Sequence, residues 1–131
     1  MRRTTSTVRV RYAETDQMRV VYHANYLVWF EVARTDFLRA TGWTYRDMEA
    51  EGTSLPVIEV GCTYRRPARY DDELDITAEG RLLSPVRLEF QYVVTRRADN
   101  EVVATGFSRH AALGPDGRPS RLPSRVRDLF A

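Results

Sequence analysis

A chain of 131 residues with one cysteine and a net charge of +2 is sized for a single domain, spanning 1–131, and cannot form an intramolecular disulfide. All 20 of its cations are arginine, which excludes a lysine Schiff base or lysine general base and leaves phosphate contacts to arginine, hydroxyl or backbone N–H groups. The arginines are spread along the chain rather than gathered into a stripe, which argues against a nucleic-acid partner.

The N-terminal MRRTTSTVRV has no apolar core of the kind a secretion signal needs. No run approaches the roughly 18 apolar residues of a membrane span. With a single cysteine, these features predict a cytoplasmic protein.

Residues 7–13 alternate, with Val8, Val10 and Tyr12 on one face and Arg9 and Arg11 on the other, which predicts a half-buried strand. Residues 14–21 break the alternation and read as a loop, with Asn25 as N-cap of the following helix. From 26 to 41 the period is helical: Tyr26, Phe30, Ala33, Phe37 and Ala40 share a face. Leu27, Val28, Trp29, Val32 and Leu38 widen that face, and the polar residues are Glu31, Arg34, Thr35, Asp36 and Arg39. A helix this apolar is expected to be buried. Gly42 ends it, and Thr44 caps a short second helix over 45–51 that closes at Gly52.

After Pro56 the period becomes two, predicting strands over 57–66, 73–82, 86–97 and 101–113. Arg97-Ala98-Asp99-Asn100 reads as a hairpin turn, Pro115-Asp116-Gly117 as a second turn, and a short helix is expected from Ser124. Cys62 alternates with Ile58, Val60 and Tyr64, so it is expected in the core. One strand, one long helix and four more strands is an α+β order, economically built as a five-stranded antiparallel sheet wrapped around the helix. Such a sheet leaves edges that favour a partner subunit.

The chemistry concentrates in residues 12–26, YAETDQMRVVYHANY. A carboxylate, Asp16, lies in the loop before a helix start. The first N–H groups of a helix have no intrahelical partner and carry partial positive charge. They suit an oxyanion while the carboxylate attacks, or activates water to attack, the same carbonyl.

The stretch ETDQMRVVYHANYLVWFEVARTDFL, supported by LPVIEVGCTYRRPARYDDELDI, resembles the hotdog-fold acyl-CoA thioesterases of the 4-hydroxybenzoyl-CoA thioesterase type, close to the Tol-Pal-associated bacterial group. The resemblance implies an α+β hotdog fold and hydrolysis of an acyl-CoA thioester, with Asp16 as nucleophile or general base. It places the oxyanion-hole N–H at His23 and the helix start at Asn25. It implies a homodimer or homotetramer, with coenzyme A as part of the substrate and no metal or other cofactor. Arg19, Tyr22, Asn25, Tyr26 and Glu31 are then expected around the acyl group. Arg81, Ser84 and Arg87, about a hairpin turn, are expected at the coenzyme A phosphates, with Arg65, Arg66 and Arg69 as competitors. Many relatives of that family have glycine where this chain has Arg19, which puts a bulky cation in the acyl pocket or at the subunit interface.

Other readings of the same residues stand beside these. Asp16 suits a loop-capping role. His23 suits a buried helix start, its backbone N–H coming first as a functional group and its imidazole second. Glu31 is spaced for an ion pair with Arg34. A hydratase using His23 and Glu31 is the second enzymatic reading. An acyl-CoA sensor is the non-enzymatic one, although the tails 1–6 and 114–131 are short for an output element.

Overall fold

The computed structural model describes residues 2–130; Met1 and Ala131, the two ends of the expected single domain, lie outside them. Strand β1 (Arg3–Arg9) is followed by a 3₁₀ turn (Tyr12–Glu14), the long helix α1 (Asn25–Thr41) and the short helix α2 (Tyr45–Ala50). Then come β2 (Val57–Tyr64), β3 (Glu73–Ser84), β4 (Arg87–Arg96) and β5 (Glu101–Ala111), and a last turn of helix, α3 (Ser124–Arg127), running into a 3₁₀ turn (Asp128–Phe130). The five strands form one sheet, ordered β1-β3-β4-β5-β2, with all neighbours antiparallel. This is the hotdog arrangement, an α+β sheet curled about one helix.

The inner face of the sheet carries Leu74, Ile76 and Ala78 of β3 and Leu88, Phe90, Tyr92 and Val94 of β4, all buried. Against them α1 sets Tyr26, Trp29, Phe30, Ala33 and Phe37. Phe30 lies flat on Tyr92 with centroids 4.3 Å apart and planes 4° from parallel. Phe37 meets Phe90 edge-on at 5.3 Å. Gly106 of β5 makes the first contact possible: a Cβ there would sit 2.5 Å from the Phe30 ring and 2.6 Å from the Gly61 carbonyl oxygen. The caps follow from the residues present. Gly42 adopts φ 83° at the end of α1, and Thr44 and Asp47 exchange side-chain and backbone hydrogen bonds at the start of α2.

Four expectations are corrected. β1 lies at Arg3–Arg9 rather than 7–13, because the run of hydroxyl residues pairs with β3 through matched polar partners, Thr7 with Asp75 and Arg9 with Glu73. Its inward Ser6 donates to Asp36 of α1 at 2.6 Å, a polar contact that apolar alternation does not reveal. Tyr12 therefore lies in the 3₁₀ turn, exposed, against Tyr70. Cys62 is only half-buried, since β2 is an edge strand whose Val57, Ile58, Val60 and Tyr64 are 43–47% exposed. The apolar surface of α1 is likewise not fully covered: Leu27, Val28 and Val32 are 38%, 53% and 39% exposed, and Ala40 is exposed as well.

The fourth correction is Arg34, which is buried rather than part of a solvated polar stripe. Its Nε donates to Tyr45 Oη at 3.0 Å and its Nη1 to Tyr92 Oη at 3.1 Å. The chain continues from Tyr92 Oη to Ser108 Oγ (2.6 Å), to His110 Nε2 (2.8 Å), and from His110 Nδ1 to the Leu55 carbonyl (2.9 Å). A guanidinium can only donate and a carbonyl can only accept. Neutral His110 therefore carries its proton on Nδ1, and each hydroxyl donates toward it.

Burial, with Arg34 adding to it, holds His110 well below the ordinary imidazole range, at about 4. A histidine whose folded pKa is depressed contributes stability present in full above the unfolded pKa of about 6.5 and lost as pH falls below it. Wild-type stability in urea titrations is expected to drop between pH 6.5 and 4 by up to about 3 kcal/mol from this residue. A His110→Asn variant, less stable at pH 7, is expected to show a flatter slope over that window.

Candidate active site

The segment between β1 and α1 closes on itself through an antiparallel bridge of Thr15 with Val21, made by Tyr22 N donating to Glu14 O at 2.9 Å and Asp16 N to Val20 O at 3.0 Å, and Val21 N ties it outward by donating to Ala68 O at 2.8 Å. The Glu14 carbonyl also accepts from Asn25 Nδ2 at 2.8 Å. Asn25 is thus the first residue of the helix rather than its N-cap; Ala24 takes the cap position, and no side chain caps it. The amide instead ties the helix start to the 3₁₀ turn leading into the acid loop.

Asp16 opens a tight turn. Its Oδ1 accepts from Met18 N at 2.9 Å, and its carbonyl from Arg19 N at 2.9 Å. Its other carboxylate oxygen has no hydrogen bond among the described residues. Arg19 closes the turn in the left-handed region, at φ 64°. That conformation suits glycine, so the backbone itself gives a reason for the glycine that the resemblance leads one to expect here. The side chain of Arg19 is exposed and does not line the cleft described next.

Asp16, His23 and Tyr26 border an open cleft of about 340 Å³ with Tyr64, Arg65 and Arg66 from the end of β2. Tyr26 packs edge-on against Tyr64 at 5.3 Å, and Tyr64 Oη donates to the His23 carbonyl at 2.9 Å. Desolvation, the largest cause in each case, pushes both phenols up to about 12, so they stay protonated near neutral pH. Neither the His23 nor the Ala24 N–H donates a hydrogen bond to any described residue. The start of α1 therefore has two open donors, of which His23 borders the same cleft as Asp16 and Ala24 does not, and a carboxylate beside an open helix-start N–H is a pairing that suits acyl transfer.

The remaining expected residues divide. Tyr22 stacks at a tilt on His23, 4.4 Å between rings, half-exposed and outside the cleft lining. Glu31 is exposed on α1, makes no ion pair with Arg34, and does not line the cleft. Arg81, Ser84 and Arg87 stand at the far end of the sheet, where Ser84 pairs with Arg87 across the β3–β4 turn. Arg81 is committed to the buried Glu89, Nε to Oε1 at 2.9 Å, and Ser84 Oγ accepts from Val86 N at 3.3 Å. Within one chain these three do not reach the cleft; Arg65 and Arg66 do. Tyr64 is the residue that alternation hides: its position reads as core, yet it sits at the strand end just before YRRPA turns back toward the helix start. Among the described residues there is no cluster of three or more metal-ligating side chains, and no helix is long and apolar enough to cross a membrane.

Arg19→Gly is expected to leave the substrate ranking unchanged and to raise stability by about 0.5–1 kcal/mol by removing left-handed strain. Denaturant melts and acyl-CoA panels measure the two separately; a changed ranking returns the side chain to the acyl pocket.

Residues 10–130 match the model of the thioesterase-like superfamily. The acyl-CoA thioesterase YbgC of Haemophilus influenzae is 40% identical over 94% of this chain and 90% of its own. The putative acyl-CoA thioesterase YneP of Bacillus subtilis is 51% identical over 65 residues, half of this chain, and that match spans only 47% of YneP. The crystal structure of the hypothetical protein TT1821 from Thermus thermophilus superposes with a TM-score of 0.89 at 39% identity, covering 96% of this chain and 95% of that one. With the hotdog sheet, the loop carboxylate and the open helix start all in one chain, the protein belongs to the thioesterase-like superfamily.

Proposed function

We propose that this protein hydrolyses an acyl-CoA thioester to a carboxylic acid and free coenzyme A. The observation that carries the reading is the shared border of one cleft: the Asp16 carboxylate faces it from the loop, and His23, with its N–H unpartnered, faces it from the helix start. The relatives named above as acyl-CoA thioesterases support it.

In the general-base form, Asp16 takes a proton from water as its oxygen bonds to the carbonyl carbon. The carbonyl oxygen becomes an anion held by the helix-start N–H groups. Collapse breaks the carbon–sulfur bond, and the thiolate takes the proton back. In the nucleophilic form an Asp16 oxygen bonds to the carbonyl carbon, the carbon–sulfur bond breaks to release the coenzyme A thiolate and leave a mixed anhydride, and water then hydrolyses that anhydride to the carboxylic acid and free Asp16, its released proton going to the thiolate. Either route uses coenzyme A only as part of the substrate and needs no metal or redox cofactor. Arg65 and Arg66, which line the cleft, are candidates for the coenzyme A phosphates within one subunit, beside Arg81, Ser84 and Arg87 at the far end of the sheet. The hydratase reading loses support because Glu31 is outside the cleft.

Asp16→Asn keeps the side chain's shape and removes its basicity. Steady-state thiol release is expected to show kcat down about 10²–10⁴-fold with KM little changed. Glu31→Gln, run beside it, is expected to stay near wild type; activity within about threefold of wild type for Asp16→Asn removes the carboxylate from the chemistry.

The uncovered apolar row on α1 and the unpaired, apolar edge of β2 belong to one assembly proposal, a homodimer or homotetramer in which partner surfaces cover both. Size-exclusion chromatography with light scattering at micromolar concentration is expected to show no monomer. An active monomer refutes the proposal.

A further inference from the structure

Asp16 and His23 border one cleft from different segments, and the separation of carboxylate and N–H decides whether one carbonyl group meets both. Backbone contacts set part of that separation. The acid loop is joined to Tyr22 by the bond from Tyr22 N to Glu14 O, 2.9 Å. Tyr22 is joined to the helix by its carbonyl, which accepts from Asn25 N at 3.0 Å. That carbonyl shares a planar trans peptide unit with the His23 N–H, so the contact fixes the direction in which this N–H points.

With no further tie, loop and helix would pivot at Tyr22. The side chain of Asn25 supplies that tie, because its Nδ2 donates at 2.8 Å to the same Glu14 oxygen that Tyr22 N reaches. The three residues close a ring of hydrogen bonds: Tyr22 N to Glu14 O, Asn25 N to Tyr22 O, and Asn25 Nδ2 back to Glu14 O. Glu14 is itself anchored, being buried with its carboxylate on Arg11 N at 2.7 Å. Asp16 follows Glu14 by two residues, and the His23 N–H is the other end of the peptide unit that Asn25 N holds. Asn25 is half-buried and does not line the cleft, so its amide serves this frame rather than the substrate.

We infer that Asn25 is a positioning residue: its side-chain amide fixes the Asp16 loop against the start of α1, and so sets the distance between the carboxylate and the His23 N–H. The inference rests on the acyl-transfer reading above. A loop shifted by a fraction of an ångström still admits the thioester. It misplaces the oxygen that attacks or activates water, so the effect falls on kcat rather than on substrate binding.

Asn25→Ala deletes the amide and keeps the backbone N–H that holds Tyr22 O. In full-length protein of wild-type assembly, assayed with whichever of acetyl-, octanoyl- or benzoyl-CoA the wild type hydrolyses fastest, kcat is expected to fall about 10–10²-fold, the scale of a small misplacement. KM and the affinity for a non-hydrolysable thioether analogue of that acyl-CoA are expected to stay within about twofold. The same substitution is then made in Asp16→Asn. There the carboxylate has no position left to lose, so Asn25→Ala is expected to lower the residual rate by less than about twofold. Asn25→Asp, equal in size and favoured by its charge at a helix start, decides the matter where the alanine variant does not fold. Ionised, it offers only acceptors to the Glu14 carbonyl, and it is expected to lose at least as much kcat. An equal loss from Asn25→Ala with and without the Asp16 carboxylate shows a general structural role and overturns the inference. So does a raised KM at unchanged kcat, which makes the amide a substrate contact. Wild-type kcat in either Asn25 variant beside an impaired Asp16→Asn overturns it while leaving the acyl-transfer reading intact. Wild-type activity in Asp16→Asn removes that reading and the positioning role with it.

Discussion

The height of the central helix above the sheet is set by one contact, the Phe30 ring lying flat on Tyr92 in space that exists only because residue 106 has no side chain. Everything at the helix start depends on this seat. Phe30 is little more than one turn into α1, so its seat on Tyr92 anchors the helix close to the end that carries the unpaired N–H groups. A side chain at 106 would meet both an aromatic ring and a backbone carbonyl, neither of which can move cheaply. The sheet thus positions the chemistry from beneath without contributing a reacting group of its own.

A second layer of control is polar. The Glu14 carbonyl receives both Tyr22 N and Asn25 Nδ2, joining the entry of the acid loop to the first helical residue. Deeper in, the line from Arg34 to the Leu55 carbonyl passes through two hydroxyls and an imidazole, all pointing one way. A buried guanidinium is costly to leave unpaired. Here two phenol oxygens accept from it, and no carboxylate pairs with it among the described residues.

How much of this could be read in the chain depended on which forces leave a periodic trace. The long helix and the four later strands announce themselves by period because burial is one-sided along most of them. The acid and the helix start were legible because Asp16 and His23 are chemically marked and close in sequence. β1 was displaced because its inward residues bond to the helix through Ser6 rather than bury apolar groups, and the alternation of Val8, Val10 and Tyr12 runs past the strand into a turn. Arg34 was placed on the wrong side because a helical wheel does not record that phenols wait opposite. The partner of Arg81 is hidden for a similar reason: it answers a buried carboxylate, which only the cross-strand register with Glu89 reveals. Tyr64 stayed hidden because its partner is a backbone carbonyl 41 residues away.

The position of β2 has a bearing on how the chain comes off the ribosome. β2 is hydrogen-bonded in the sheet only to β5, the last strand to be made, whereas β3 finds β1 already synthesised and β4 pairs with its immediate predecessor. During translation, at roughly 5–20 residues per second, a strand carrying Val57, Ile58 and Val60 therefore stays unpaired until the final third of the chain has emerged. An unpaired apolar strand is a template for pairing with any other exposed strand. The same residues that the finished subunit offers at an edge are, for those seconds, the segment most in need of a chaperone.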